Sequence, residues 1–175
     1  MPGRPTIDTL ITADAIQARI RELAAEIRHD SPSAPLHFIC VLKGAFLFLA
    51  DLVRAVDGEV TVDFMALSSY AGTTSSGEVR LVKDLDTGLE GRDVIIVEDI
   101  VDTVLTLHYL HDILRARGPR QLRTACLLSK PARRTTEVAV DYIGFVIDDH
   151  FVVGYGLDHD EHYRNLPYIG VVRGS

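Results

Sequence analysis

Two adjacent carboxylates, Glu98 and Asp99, follow the strongest strand pattern of the chain, Asp93 to Val97. A short stretch carrying Asp102, Thr103 and Thr106 then leads into an amphipathic helical pattern. The amino end of a helix offers unpaired backbone N–H groups and the positive end of the helix dipole, a natural seat for a phosphate. Carboxylates repel a phosphate, but they accept hydrogen bonds from sugar hydroxyls or hold Mg²⁺. Together these groups describe a site for a ribose 5-phosphate. A capped surface helix would carry the same residues without chemistry. An acidic strand of the nucleoside-triphosphatase kind requires a G-x-x-x-x-G-K-[ST] loop, which the chain lacks.

Ligands of open α/β sheets bind off the carboxyl ends of the strands. Lys43 and Gly44 follow the apolar run ending at Leu42, Lys130 follows the one ending at Leu128, and Asp158 and Arg164 come after Tyr155. These acids and bases form a polar ring suited to a polyanionic, metal-bound substrate.

The elements that must hold this ring are legible from apolar spacing. Thr12 to about Asp30 reads as a helix, with Ile16, Ile20, Leu23 and Ile27 on one face, Thr12 at its cap and Pro32 beyond its end. Leu36–Leu42 is a continuous apolar run, as in a strand covered on both faces. A second helix is expected over about Ala45–Val56, and strands over Val60–Ser69, Val79–Leu85 and Asp93–Val97. A helix over about Thr103–Arg117 ends at Gly118-Pro119, and further strands are expected at Leu122–Leu128, Tyr142–Ile147 and Phe151–Tyr155. Strands alternating with helices predict a parallel α/β sheet. Ser68–Glu78 is polar and too long for a tight hairpin, so it is a functional loop or plain linker.

Composition narrows the class. The 175 residues are 47% hydrophobic and 25% charged, ordinary values for one globular domain, and exclude a disordered tail, a collagen or a coiled coil. A net charge of −7 excludes a wholesale basic nucleic-acid binder. Cys40 and Cys126 lie in apolar runs and are expected as buried free thiols. Without an apolar leader or an 18-residue apolar run, a cytoplasmic protein with no membrane contact is expected.

The stretch Val94–Leu107 resembles the phosphoribosyl-pyrophosphate (PRPP) motif of type I phosphoribosyltransferases. From about Ile11 to Val172 the chain resembles the hypoxanthine (hypoxanthine-guanine) members of that family. The supporting motifs run in the family's order: Val41-Leu42-Lys43-Gly44-Ala45, Ser68-Ser69-Tyr70, Val97 to Thr103, Leu127 to Pro131, and Val153 to Asp158 with Tyr163 to Pro167. The resemblance implies a single α/β domain over residues 1–175, with a central, mostly parallel twisted sheet flanked by helices. It also implies a small hood from about 1–15 and 150–175 and a flexible active-site loop at about 68–78. The implied activity is purine salvage: 5-phosphoribosyl transfer from PRPP to hypoxanthine and guanine, giving IMP, GMP and pyrophosphate with Mg²⁺.

The resemblance also implies roles. Lys43 and Gly44 would form the pyrophosphate loop, with a strained Leu42–Lys43 peptide. Glu98 and Asp99 would hold the ribose hydroxyls and, with Asp158, Mg²⁺. Asp102, Thr103, Val104, Leu105 and Thr106 would cradle the 5′-phosphate, and Asp102 would act as general acid/base at purine N7. Lys130 would donate to the exocyclic O6, which explains a preference for 6-oxopurines over adenine. Phe151 would stack on the base, Val152 would read its edge, and Arg164 would contact pyrophosphate. The loop with Ser69 and Tyr70 would close over substrate and exclude water.

One position departs from the family: Val104 stands where its members carry Gly. A β-branched residue there costs roughly 1–3 kcal/mol if the backbone keeps a positive φ, which weakens PRPP binding. A second reading makes the chain a nucleotide-sensing regulator that binds nucleic acid through Arg115–Arg134, seven basic residues without an acid. Asp141–Glu161 carries six acids and no Lys or Arg, so the two stretches are solvated faces or complementary surfaces of a homodimer or homotetramer. His159 and His162 read as part of a solvated acidic turn, and His108 and His111 as helix-surface or subunit-contact residues.

Overall fold

The computed structural model describes residues 4–69, 79–101, 105–131 and 139–174. Twelve elements are described in chain order: β1 (Thr6–Ile11), α1 (Ala13–Asp30), β2 (Leu36–Leu42), α2 (Phe46–Ala55), β3 (Val60–Ser69), β4 (Val79–Lys83), β5 (Asp93–Val101), α3 (Leu105–Arg115), β6 (Gln121–Ser129), β7 (Tyr142–Val146), β8 (Val152–Val153) and β9 (Ile169–Arg173). Six strands form one sheet in the order β4-β3-β2-β5-β6-β7. All neighbours in it are parallel except the edge strand β4. The α/β class expected from the sequence is the one observed.

The nearly continuous apolar run of β2, interrupted by His37, follows from its central position. Phe38 and Cys40 pack with Ile16, Leu23, Phe48 and Leu52 beneath α1 and α2. The alternate residues Ile39 and Val41 join Met65, Ile96, Leu110 and Leu114 beneath α3. Alternate side chains thus feed two cores, so every position of β2 but His37 is apolar. Phe38 and Phe48 have no exposed surface, and truncating either to alanine should cost about 3–5 kcal/mol. Helix α1 begins as its sequence predicts: Thr12 Oγ1 accepts a hydrogen bond from Ala15 N at 3.2 Å. Both cysteines are buried and neither forms a disulfide.

Three segments differ from expectation. First, β5 runs to Val101 rather than ending at Val97, with Glu98 opposite Cys126 and Val101 opposite Ser129. The acids therefore belong to the strand itself: hydrogen bonding to β6 sustains extended backbone past the apolar run. Second, the strand expected at Phe151–Tyr155 is confined to Val152–Val153, because Gly154, Tyr155 and Gly156 adopt positive φ of 96°, 48° and 98°. Third, β1 and β9, not expected as strands, pair antiparallel from Thr6–Arg173 to Ile11–Ile169, and β8 adds to β9. This small sheet joins segments more than 150 residues apart, so no local pattern announces it. Helix α3 is described from Leu105, and Thr103, its expected start, lies outside the described residues.

Candidate functional site

Parallel register aligns the carboxyl ends of β2, β3, β5 and β6 along one edge of the sheet. Lys43 and Gly44 leave β2 there, through a cis Leu42–Lys43 peptide, before α2 begins. Gly44 lies directly against β5: a Cβ on it would stand 1.9 Å from Asp99 Oδ2. Its carbonyl also touches Gly156, where an added Cβ would meet it at 2.3 Å. Glycine at 44 and 156 is what allows the β2–α2 loop, the acidic end of β5 and the segment after β8 to meet.

That last segment is anchored from beneath. Tyr155 is buried, and its hydroxyl bonds the Asp51 carboxylate of α2. Gly156 and Arg164 exchange bonds: Gly156 N donates to Arg164 O at 2.9 Å, and Arg164 Nη1 donates to Gly156 O at 2.7 Å. Arg164 Nη2 lies 3.4 Å from Asp158 Oδ1 and 3.0 Å from Glu161 Oε1. Glu161 Oε2 in turn accepts from Lys43 Nζ at 3.1 Å. These bonds from Lys43 and Arg164 hold the Glu161 carboxyl below the usual carboxylate range.

Glu98 and Asp99 are in different surroundings. Glu98 is 7% exposed, and burial, reinforced by the neighbouring Asp99 charge, raises its carboxyl well above the ordinary range. Asp99 Oδ1 accepts from Ile100 N at 2.7 Å. Burial, with both acids adding to it, pushes the Cys40 thiol up to about 12. Lys130 is also buried, its N–H bonded to Val101 O at 2.9 Å and its ammonium 3.8 Å from Asp149 Oδ1. Phe151 is 56% exposed, with its ring 5.2 Å from that of His159 in an edge-to-face contact, whereas Val152 is buried in the small sheet. Leu105 and Thr106 open α3, with Leu105 exposed.

The fold thus brings Lys43, Gly44, Asp99, Asp158 and Arg164 into one contact network at the sheet edge. Glu98 and Lys130 stand on the neighbouring strand ends. Asp102, Thr103, Val104 and Tyr70 lie outside the described residues, as does the side chain of Ser69. Among the described residues no group of three potential ligands is assembled for a metal. Glu161 was not expected at the site; its only sequence signal was the acidity of the turn, which fits a solvated loop equally well.

Two expectations are corrected. His111 is buried, with Nε2 2.8 Å from Thr124 Oγ1, because α3 packs that face on β6. The nucleic-acid reading finds no support. Arg117 forms two bonds with Asp84, at 2.7 and 2.9 Å, Arg120 pairs with Asp93, and Arg123 lies 3.8 Å from Asp30. Much of the basic stretch is therefore neutralised within the chain. Among the described residues no helix is long and apolar enough to cross a membrane.

A family model described as the phosphoribosyl transferase domain matches residues 7–160. The chain is 48% identical over 165 residues to the hypoxanthine-guanine phosphoribosyltransferase of Bacillus subtilis, covering 94% of this chain and 92% of that protein. It is 51% identical over 170 residues to the protein of the same name from Mycobacterium bovis, covering 93% and 84%. Among solved structures, a Bacillus anthracis hypoxanthine-guanine phosphoribosyltransferase superimposes with a TM-score of 0.92 at 46% identity, covering 95% of this chain and 98% of that one.

Proposed function

The chain belongs to the phosphoribosyl transferase domain family and, within it, to the hypoxanthine-guanine phosphoribosyltransferases, and from that membership we propose how its residues divide the work. It is a purine-salvage transferase. The proposal concerns the reaction's parts: a base nitrogen bonds C1′ of PRPP as the bond from C1′ to pyrophosphate breaks.

Lys43, the Gly44 backbone and Arg164 receive the pyrophosphate. Asp99 and Glu98 accept hydrogen bonds from the ribose hydroxyls. Such donors offset both the burial of Glu98 and its repulsion by Asp99, the two causes that raise its carboxyl. Residues Asp102 to Thr106, of which Leu105 and Thr106 open α3, hold the 5′-phosphate, and Asp102 handles the proton at purine N7, a contribution typically of 10²–10⁴-fold. Lys130 donates to O6 of a 6-oxopurine. Its near-complete burial suits this role, because a buried donor opposed by a 6-amino group would be left unpaired. Phe151 has an exposed ring available to stack on the base.

Hard oxygen donors suit Mg²⁺, which takes one or two carboxylates and completes its shell with waters and phosphate oxygens. Asp158, Glu98 and Asp99 carry such donors, and because the three are not assembled as one group, one or two of them would hold the ion. When bound, the ion offsets the charge of the pyrophosphate.

The observation that carries this reading is the meeting of Gly44 with Asp99 and of Lys43 with the Asp158–Arg164 segment at the carboxyl edge of the sheet. The test is product formation from PRPP and Mg²⁺ with hypoxanthine, guanine, xanthine and adenine in turn. IMP and GMP are expected and AMP is not. No product at millimolar PRPP, or full rate in excess chelator, would overturn the proposal.

A further inference from the structure

We infer that Glu161 is a built-in counter-ion of the pyrophosphate seat, which the diphosphate must displace and which thereby weakens the hold on PRPP and eases release of pyrophosphate. The inference rests on the reading that Lys43 and Arg164 receive the pyrophosphate.

One carboxylate bridges the two cations. Glu161 Oε2 lies 3.1 Å from Lys43 Nζ, and Oε1 lies 3.0 Å from Arg164 Nη2. Two oxygens divided between two cations is the arrangement that a diphosphate would also adopt. Among the described residues Asp158 is the other charged contact of Arg164, at 3.4 Å, so two bases face two acids in this cluster.

A tight turn carries this carboxylate. Asp160, Glu161 and Tyr163 adopt φ of 50°, 66° and 75°, unusual for residues with a Cβ. His159 and His162 close the turn by exchanging backbone bonds of 3.1 and 3.0 Å, and Glu161 N donates to Asp158 Oδ2 at 2.9 Å. The turn therefore sets the position from which Glu161 reaches Lys43.

The contact is also easy to break. The Lys43 and Glu161 side chains are 68% and 63% exposed, and exposed pairs of this kind contribute little to stability. The Lys43 half of the bridge is therefore open to an incoming anion. Once displaced, the carboxylate stays tethered beside the seat and repels the diphosphate. Where product release limits turnover, such repulsion shortens the life of the product complex.

The test is Glu161→Gln, which removes the charge and keeps the shape, with Lys43→Ala as the companion variant. Binding of pyrophosphate in excess Mg²⁺ is measured by calorimetry, and KM for PRPP and for hypoxanthine by steady-state kinetics. Glu161→Gln should bind pyrophosphate roughly three- to tenfold more tightly, the scale of one or two exposed ion pairs. It should lower KM for PRPP, leave KM for hypoxanthine unchanged, and lose most of its gain at about 1 M salt, where the screening length is about 3 Å. If it binds pyrophosphate equally or more weakly while Lys43→Ala binds it more weakly than the parent, the seat stands and Glu161 merely supports it, which overturns the inference. If Lys43→Ala leaves pyrophosphate binding unchanged, the seat itself is misplaced, and the inference falls with it.

Discussion

The carboxylate of Asp99 occupies the space into which any side chain at position 44 would project. An added Cβ on Gly44 would lie 1.9 Å from Asp99 Oδ2, 2.8 Å from its Cγ and 3.3 Å from its Cβ. The β2–α2 loop and the acidic end of β5 are thus mutually fitted, and neither can change without the other. Gly44→Ala must turn the Asp99 side chain or lift the loop. We expect at least a tenfold loss in kcat/KM for PRPP with a modest loss of stability, because one carboxylate can swing aside. Asp99→Ala should absorb most of the Gly44→Ala penalty in a double-mutant cycle. Additive losses in that cycle would show that the two positions act independently.

Lys130 offers a separable test of base choice. Its side chain is 7% exposed and has the Asp149 carboxylate 3.8 Å away. Lys130→Ala should reduce discrimination of hypoxanthine against adenine roughly 5- to 150-fold, the equivalent of about 1–3 kcal/mol for an unpaired buried donor. Competition kinetics with both bases measures this ratio. An unaltered ratio would place the O6 contact elsewhere.

Asp63 on β3 is one of the acids whose titration lowers stability at low pH. Burial raises its carboxyl, but donors from Phe64 N, Asp86 N, Thr87 N and the Thr87 hydroxyl outweigh burial and hold it below the usual range. A lowered acid binds its proton less readily folded than unfolded. Its stabilisation is therefore present above the unfolded value of about 3.9 and is lost as pH falls through the folded value. Asp63→Asn should cost roughly 2–4 kcal/mol at neutral pH and flatten the decline of stability below about pH 4. Urea unfolding of both forms between pH 7 and pH 3 checks this, and parallel pH curves would contradict it.

Val104 lies outside the described residues, and its prediction comes from the family pattern. If the phosphate loop keeps the path that glycine favours, Val104→Gly should lower KM for PRPP. It should also raise kcat/KM about 5- to 150-fold, since 5′-phosphate binding also orients C1′. Choice among bases should not change. Kinetics with PRPP varied at saturating hypoxanthine decide the matter, and a glycine form no better than the parent would show a loop adapted to valine.

What the sequence alone determined lies within short stretches of chain. The face of α1, the two-sided burial of β2 and the order of strands and helices follow from local apolar spacing, because neighbouring residues share one element's geometry. The candidate acids and bases were legible for a related reason: in a parallel sheet, residues that follow a strand fall at the ligand edge. Only the tertiary structure decided which of them meet. Lys43 finds Glu161 118 positions away, Gly44 finds Asp99 across a strand boundary, and β1 finds β9 from the other end of the chain. It also decided that Glu98 is a buried strand residue whose carboxyl is raised, and that Arg117 and Arg120 are neutralised by Asp84 and Asp93. Charge, burial and contact at these positions depend on which distant segment closes over them, and residue type and spacing along the chain carry no record of that closure.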